Sequence, residues 1–298
     1  MGIQKQPESI EGYWSLLASA FAFSLMTVCV KNLDKRIPIS EIVLVRSVIS
    51  ILITRLMLKK AGISPWGNNK KLLFIRGLLG TCALFCVFEA IGNLPLATAT
   101  VIQYTYPTFT ALLALFVLKE GIGRRVALAV TLGWTGITLI VQPEWLFSNT
   151  YNIQITAIYI ALAGAFLTAL AYISIRRLSK SEHQLVIVHY FPLISIPICI
   201  PLVYFNGILP QMIDWMWLLG VGVLTQLGQV WLTNGFSLLP AAKASSISYI
   251  QVIFATIWGL VFFAEKPDIW TVVGSIMIFT ATIISLSAQQ KPLKYIHK

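Results

Sequence analysis

Apolar residues along this chain fall into ten long runs separated by short polar stretches, near 13–30, 39–58, 72–92, 96–118, 125–141, 155–175, 185–204, 215–237, 241–263 and 269–287. A helix of roughly 17–25 apolar residues crosses the hydrocarbon core of a bilayer. Barrel strands are about 10 residues long and alternate in polarity. These runs are longer and do not alternate. The pattern therefore predicts an all-α integral membrane protein with ten transmembrane helices.

The runs also repeat. Residues 94–120 read LPLATATVIQYTYPTFTALLALFVLKE, and residues 239–265 read LPAAKASSISYIQVIFATIWGLVFFAE, 145 positions later without a gap. Nine of the 27 aligned positions are identical, among them Pro95/Pro240, Tyr104/Tyr249 and Glu120/Glu265. The same offset aligns Ala18, Ala20 and Phe21 with Ala163, Ala165 and Phe166, and Gly77 with Gly222. The chain is thus divided as 1–145 and 146–298, five spans to each copy. Five is odd, so the second copy must enter the membrane from the opposite side. The expected architecture is two inverted five-helix repeats. Because one chain supplies both halves, a monomer suffices, and a dimer is also allowed.

Composition agrees with the membrane reading: 57% of residues are hydrophobic, 11% are charged, and the mean hydropathy is +0.80. Soluble domains carry about a quarter charged residues. Lys and Arg set the orientation. Fifteen lie in the N-terminal segment, the C-terminal segment and the loops after spans 2, 4, 6 and 8, against four on the other side. Both termini are accordingly expected in the cytoplasm, in an inner or plasma membrane. The net charge of +11 reads as this signal plus attraction to anionic lipid. The basic residues are spread over short loops, which argues against a nucleic-acid partner. The first twelve residues lack a positive n-region, so no cleavable signal is expected.

Polar groups at membrane depth are costly and mark function by default. Glu89 lies inside span 3, about one turn from its outer end, and its repeat counterpart is Asn234. Arg46 lies about two turns into span 2, at similar depth. The pair could bind a proton or a charged substrate group, or could fix helix register as a buried ion pair. A second polar set lies in spans 4, 8 and 9: Gln103, Tyr106 and Thr110; Gln226, Gln229 and Thr233; and Ser248 with Gln251. Each amide alone could glue helices together. Their recurrence suggests a shared polar cavity, with Tyr104 and Tyr249 flanking a substrate. Pro107 removes a backbone hydrogen bond near mid-span. Glu120 and Glu265 end spans 4 and 9, where a carboxylate opposes the helix dipole; Lys119, Arg124 and Arg125 are the expected partners of Glu120. Cys82 and Cys86, one helical turn apart, read as packing residues, and neither a metal nor a cofactor is expected.

The segments FEAIGNLPLATATVIQYTYPTFTALLALFVLKE and TNGFSLLPAAKASSISYIQVIFATIWGLVFFAE, with Arg46 in VLVRSVIS, resemble the EamA-type branch of the drug/metabolite transporter superfamily. The resemblance covers all ten spans. It implies inverted repeats around a central cavity and secondary transport by alternating access. It often implies export of amino acids or other small organic metabolites, and sometimes uptake. Relatives commonly have an aromatic residue where this chain has Glu89. That departure favours a cationic or zwitterionic substrate, or proton coupling.

The leading reading is a secondary active transporter that exports an amino acid or a related zwitterion or cation. The alternative is an uptake permease or exchanger for a nucleotide-derived or sulfonium compound. A membrane-embedded enzyme would need nucleophiles or ligands gathered at one depth, and a channel would need rings of like residues. No GxxxxGK[ST] loop is present for direct ATP coupling.

Overall fold

The structure, a computed structural model, describes residues 10–33, 36–94, 96–141, 155–264 and 269–287. Among them every regular element is helical. Lipid offers backbone groups no hydrogen-bond partners, so apolar runs of this length must satisfy their own N–H and C=O groups as helices. The elements are α1 (Ile10–Asn32), α2 (Ile39–Lys60), α3 (Lys70–Asn93), α4 (Leu96–Gln103), α5 (Tyr106–Leu113) with a π-helical turn (Ala114–Leu118), and α6 (Arg124–Val141). There follow α7 (Ile155–Leu178), α8 (Gln184–Asn206), α9 (Met212–Leu238), α10 (Ala241–Ile247), α11 (Ile250–Phe263) and α12 (Ile269–Ser287). Among the described residues, nine stretches are long and apolar enough to cross a membrane. The tenth candidate, α2, has spanning length at 22 residues but carries Glu41, Arg46 and Arg55.

The helix starts follow the sequence duplication closely. α1, α2, α3, α4 and α6 begin at 10, 39, 70, 96 and 124; α7, α8, α10 and α12 begin 145 residues later, at 155, 184, 241 and 269, and α9 begins at 212, three residues before the offset places it. Packing follows it as well. α1 lies against α9 and α11, and its counterpart α7 lies against α3 and α5. α2 packs on α9, and α8 packs on α3. The helix pairs α2/α8 and α6/α12, each made of two counterparts, are also in contact. Exchanging every helix for its counterpart leaves these packed pairs unchanged. The expected division at 145/146 lies outside the described residues.

Two expectations change at the fourth and ninth spans, which the sequence presents as single apolar runs. Each is broken, after Gln103 and after Ile247. Pro107, at the start of α5, accounts for part of the first break. No proline lies at the second, where Gln251 and Val252 bond back three residues to Ser248 and Tyr249 in tight turns. Both broken spans then end alike. Lys119 and Ala264 adopt left-handed backbone, with φ of 54° and 53°, and each donates its N–H five residues back, to Ala114 and Gly259. This wide final turn sets the direction in which Glu120 leaves the helix.

The charge reading also changes at one residue. Lys243, assigned to a loop by the sequence pattern, lies inside α10, 1% exposed, with its ammonium 5.0 Å from the Tyr13 ring centroid. Arg36, at the opposite loop, pairs with Asp214 at 2.8 Å.

Candidate functional site

Two repeat-related pairs meet where counterpart elements touch. Tyr104 and Tyr249, at the two helix breaks, stack with ring centroids 6.2 Å apart and planes inclined by 29°. Arg46 of α2 and Phe191 of α8 are counterparts too, and the guanidinium carbon lies 5.1 Å from the ring centroid. One pair is alike and the other is not.

A row of aromatic side chains extends from the first pair. Tyr104 lies 6.0 Å from Tyr106, Tyr106 meets Tyr172 of α7 edge-on at 5.4 Å, and Tyr172 packs on Phe236 at 4.7 Å. The charge of Arg76, on α3, is within electrostatic range of both Tyr172 and Arg46. Arg76 also lies over the Phe191 ring, at 5.4 Å. That ring rests where α3 has Gly80: a Cβ there would come within 2.9 Å of it. Two arginines therefore share one aromatic ring, as cation–π contacts allow.

Their hydrogen bonding is incomplete. Arg46 is 7% exposed and Arg76 3%. Arg76 donates one bond, from Nη2 to Gln229 Oε1 at 3.3 Å. Arg76 Nε and Nη1 and Arg46 Nε have no partner among the described residues. Neither guanidinium belongs to the ion pairs found there, Arg36–Asp214 and Arg176–Glu120.

The expected Glu89–Arg46 pair does not form. Glu89 sits on an exposed face of α3 and accepts a 2.9 Å bond from Asn93, one turn along the same helix. Similar depth did not imply the same helix face. Its counterpart Asn234 bonds to Ser15 and Glu11 of α1. The amides divide as well. Gln226 donates to Thr54 of α2 at 2.7 Å and ties two helices together, whereas Gln229 meets Arg76. Gln103 donates to Thr168 at 3.3 Å, one turn from Tyr172 on α7, and its Oε1 is unpartnered. Gln251 is half-buried in α11. The single shared cavity expected of all these groups becomes two environments. One is a helix-tying contact around Gln226, and the other is an arginine-lined region around Gln229.

Glu120 has a structural task, with a partner other than those expected. Its Oε1 accepts from Arg176 Nε at 2.9 Å, and its Oε2 accepts from the Ala241 N–H at 2.9 Å. A carboxylate unfavourable at the end of its own helix thus stabilises the start of α10, beside the N-cap Pro240. Pro95 and Glu265 lie outside the described residues. Sequence reasoning missed Arg76, Tyr172 and Phe191. The signal available in the sequence was that Arg46 aligns with an aromatic residue in the second copy. Among the described residues no group of three or more His, Cys, Asp or Glu could hold a metal.

Apolar helices of membrane length, two of the spans broken, around buried unpaired cations form the architecture of a membrane transporter. The chain belongs to the EamA-like transporter family, whose profile matches it twice, over residues 10–142 and 155–287. It is 34% identical over 279 residues to the pseudopaline exporter CntI of Pseudomonas aeruginosa strain UCBPP-PA14, covering 93% of this chain and 95% of that protein. It is 28% identical over 284 residues to human solute carrier family 35 member G1, covering 91% and 78%. It is 29% identical over 308 residues to the probable transport protein YPL264C of Saccharomyces cerevisiae, covering 90% and 86%. A solved crystal structure, 14% identical, superposes with a TM-score of 0.81 over 92% of this chain and 96% of that one, which speaks to the fold alone.

Proposed function

We propose that this transporter is a secondary active exporter of a small organic metabolite, working by alternating access in the inner or plasma membrane. The observation that carries this is the exchange relation among packed helices. It supports two copies of five spans each, the odd count reversing the second in the bilayer, with both termini placed on the cytoplasmic side by the Lys/Arg distribution. Two similar halves around one site can open it to either side by exchanging roles. The export direction follows the Pseudomonas aeruginosa relative, which is named an exporter.

Coupling to the proton gradient is assigned to Glu89. Glu41, Glu182 and Asp214 are committed to backbone N–H groups or to arginine, and Glu120 to both. Glu89 has a neutral amide for its partner, as does Glu11, but Glu11 sits in the first turn of α1 whereas Glu89 lies within a span. Reconstitution into proteoliposomes tests both parts. Saturable counterflow is expected of a carrier, and its absence alongside unsaturable flux would make the protein a channel. Glu89→Gln is expected to keep counterflow and lose flux driven by a pH gradient. Undiminished gradient-driven flux would remove Glu89 from the mechanism.

A further inference from the structure

We propose that Arg46 and Arg76 form the recognition site for a small organic dianion, so that the transported metabolite carries two negative groups. This rests on the transporter reading and adds the substrate's charge class to it.

Burying one arginine away from water is costly unless a counter-charge and hydrogen bonds are supplied. Here two are buried around one ring, 5.1 and 5.4 Å from its centroid, and their like charges oppose each other. No described carboxylate pairs with either guanidinium. The ring face softens the problem, since a cation is attracted to an aromatic face, but it does not neutralise charge. Gln229 accepts one bond from Arg76 and supplies no negative charge. What remains is a set of fixed N–H donors with unmet demand: Arg46 Nε and Arg76 Nε and Nη1.

The geometry points to an anion. A guanidinium offers planar, paired donors that fit a carboxylate or a phosphate, and it stays protonated. Two guanidiniums on different helices call for two negative charges, on one group or on neighbouring groups. The body of the ligand would lie along Tyr172, Tyr106 and Tyr104, where aromatic faces and hydroxyls suit an organic skeleton. A cation would meet two like charges here, which disfavours the cationic substrate that Glu89 suggested. The second copy has Phe191 and Val221 in place of Arg46 and Arg76, so the site is made once. α2 and α3 belong to the first copy and α8 and α9 to the second. A ligand bridging Arg46, Arg76 and Gln229 would link the two copies and could report their relative movement.

The test is thermal unfolding of the purified full chain in lipid nanodiscs, titrated with succinate, malate, glycerol 3-phosphate, the uncharged dimethyl succinate, and putrescine. Ligands that bind the native state raise the unfolding midpoint. Saturable stabilisation is expected from dianions and not from the ester or the diamine. A preference for glycerol 3-phosphate over both carboxylates would identify an organic phosphate, and the reverse a carboxylate. Arg46→Gln and Arg76→Gln are expected to weaken the preferred probe's apparent affinity at least tenfold, and the lysine variants less. Equal stabilisation by the ester or putrescine, no response to any dianion, or unchanged affinity in folded glutamine variants would overturn the proposal. If the glutamine variants fail to fold, the comparison of acid with ester on the unaltered protein still decides. Dianion binding without counterflow would sink the transport reading and leave the site standing. Counterflow of a neutral or cationic solute, insensitive to dianions, would do the opposite.

Discussion

Tyr104 and Tyr249 occupy equivalent positions in the two copies and pack face to face; Arg46 and Phe191 also occupy equivalent positions and also touch. The first contact joins like to like at two helix breaks. The second sets a cation against an aromatic ring. Identical residues at a symmetric contact are what an architecture built twice requires, because both copies face the same packing problem. Unlike residues at such a contact break the equivalence. A substrate without twofold symmetry can then be read from one side of the ring. The lesson is that duplication conserves the joints and divergence writes the site.

Placing a third guanidinium on that ring's position should have the largest effect. Phe191→Arg adds a buried like charge, where an uncompensated buried charge costs about 3–5 kcal/mol. Loss of monodisperse protein on size exclusion is expected. Adding Arg46→Phe to the same chain moves the cation to the counterpart position and should restore folded protein. Failure of that rescue would show that the two positions are not interchangeable. Next in size is the joint around Tyr249. Gly133 on α6 has no side chain because the Tyr249 ring fills that space. Gly133→Leu should overpack it and cost about 1–3 kcal/mol or more, read as a lower unfolding midpoint; an unchanged midpoint would mean that the ring moves freely.

Glu120→Gln should follow. It removes the charge that meets Arg176 and the Ala241 N–H while keeping shape. A charge-assisted bond contributes roughly 1.5–3 kcal/mol, reduced here because both side chains are nearly a fifth exposed. A modest drop in midpoint with binding retained is expected, and a lost substrate response would move Glu120 out of a purely architectural role. Tyr249→Phe should do least. Its hydroxyl makes two long bonds of 3.4 Å, to the carbonyls of Tyr104 and Val130, so the ring rather than the hydroxyl holds the joint. A change in midpoint worth less than about 1 kcal/mol is expected; a larger one would show that the hydroxyl matters.

Much of this was legible in the chain itself. Helix-length apolar runs marked the membrane helices, because lipid leaves helices as the only way for such runs to satisfy their backbone. The 145-residue offset aligned nearly every helix start, since the same residues face the same local problem twice. It also marked Glu120 as architectural, although its partner is Arg176 of another helix rather than the adjacent Lys119, Arg124 or Arg125. Reading depth along a span put Glu89 and Arg46 at one level, and that was not enough.

What tertiary structure decided was azimuth, the direction each helix turns its side chains. Depth is set by position along one helix and can be counted. Azimuth depends on which neighbours a helix packs against, and those lie far along the chain. That is why Glu89 fell on an exposed face beside Asn93, why Gln226 and Gln229 parted company three residues apart, and why Arg76 met Arg46 over Phe191. The sequence determined a duplicated bundle of membrane helices. Only their packing determined which buried charges would be left facing one another without a counter-ion.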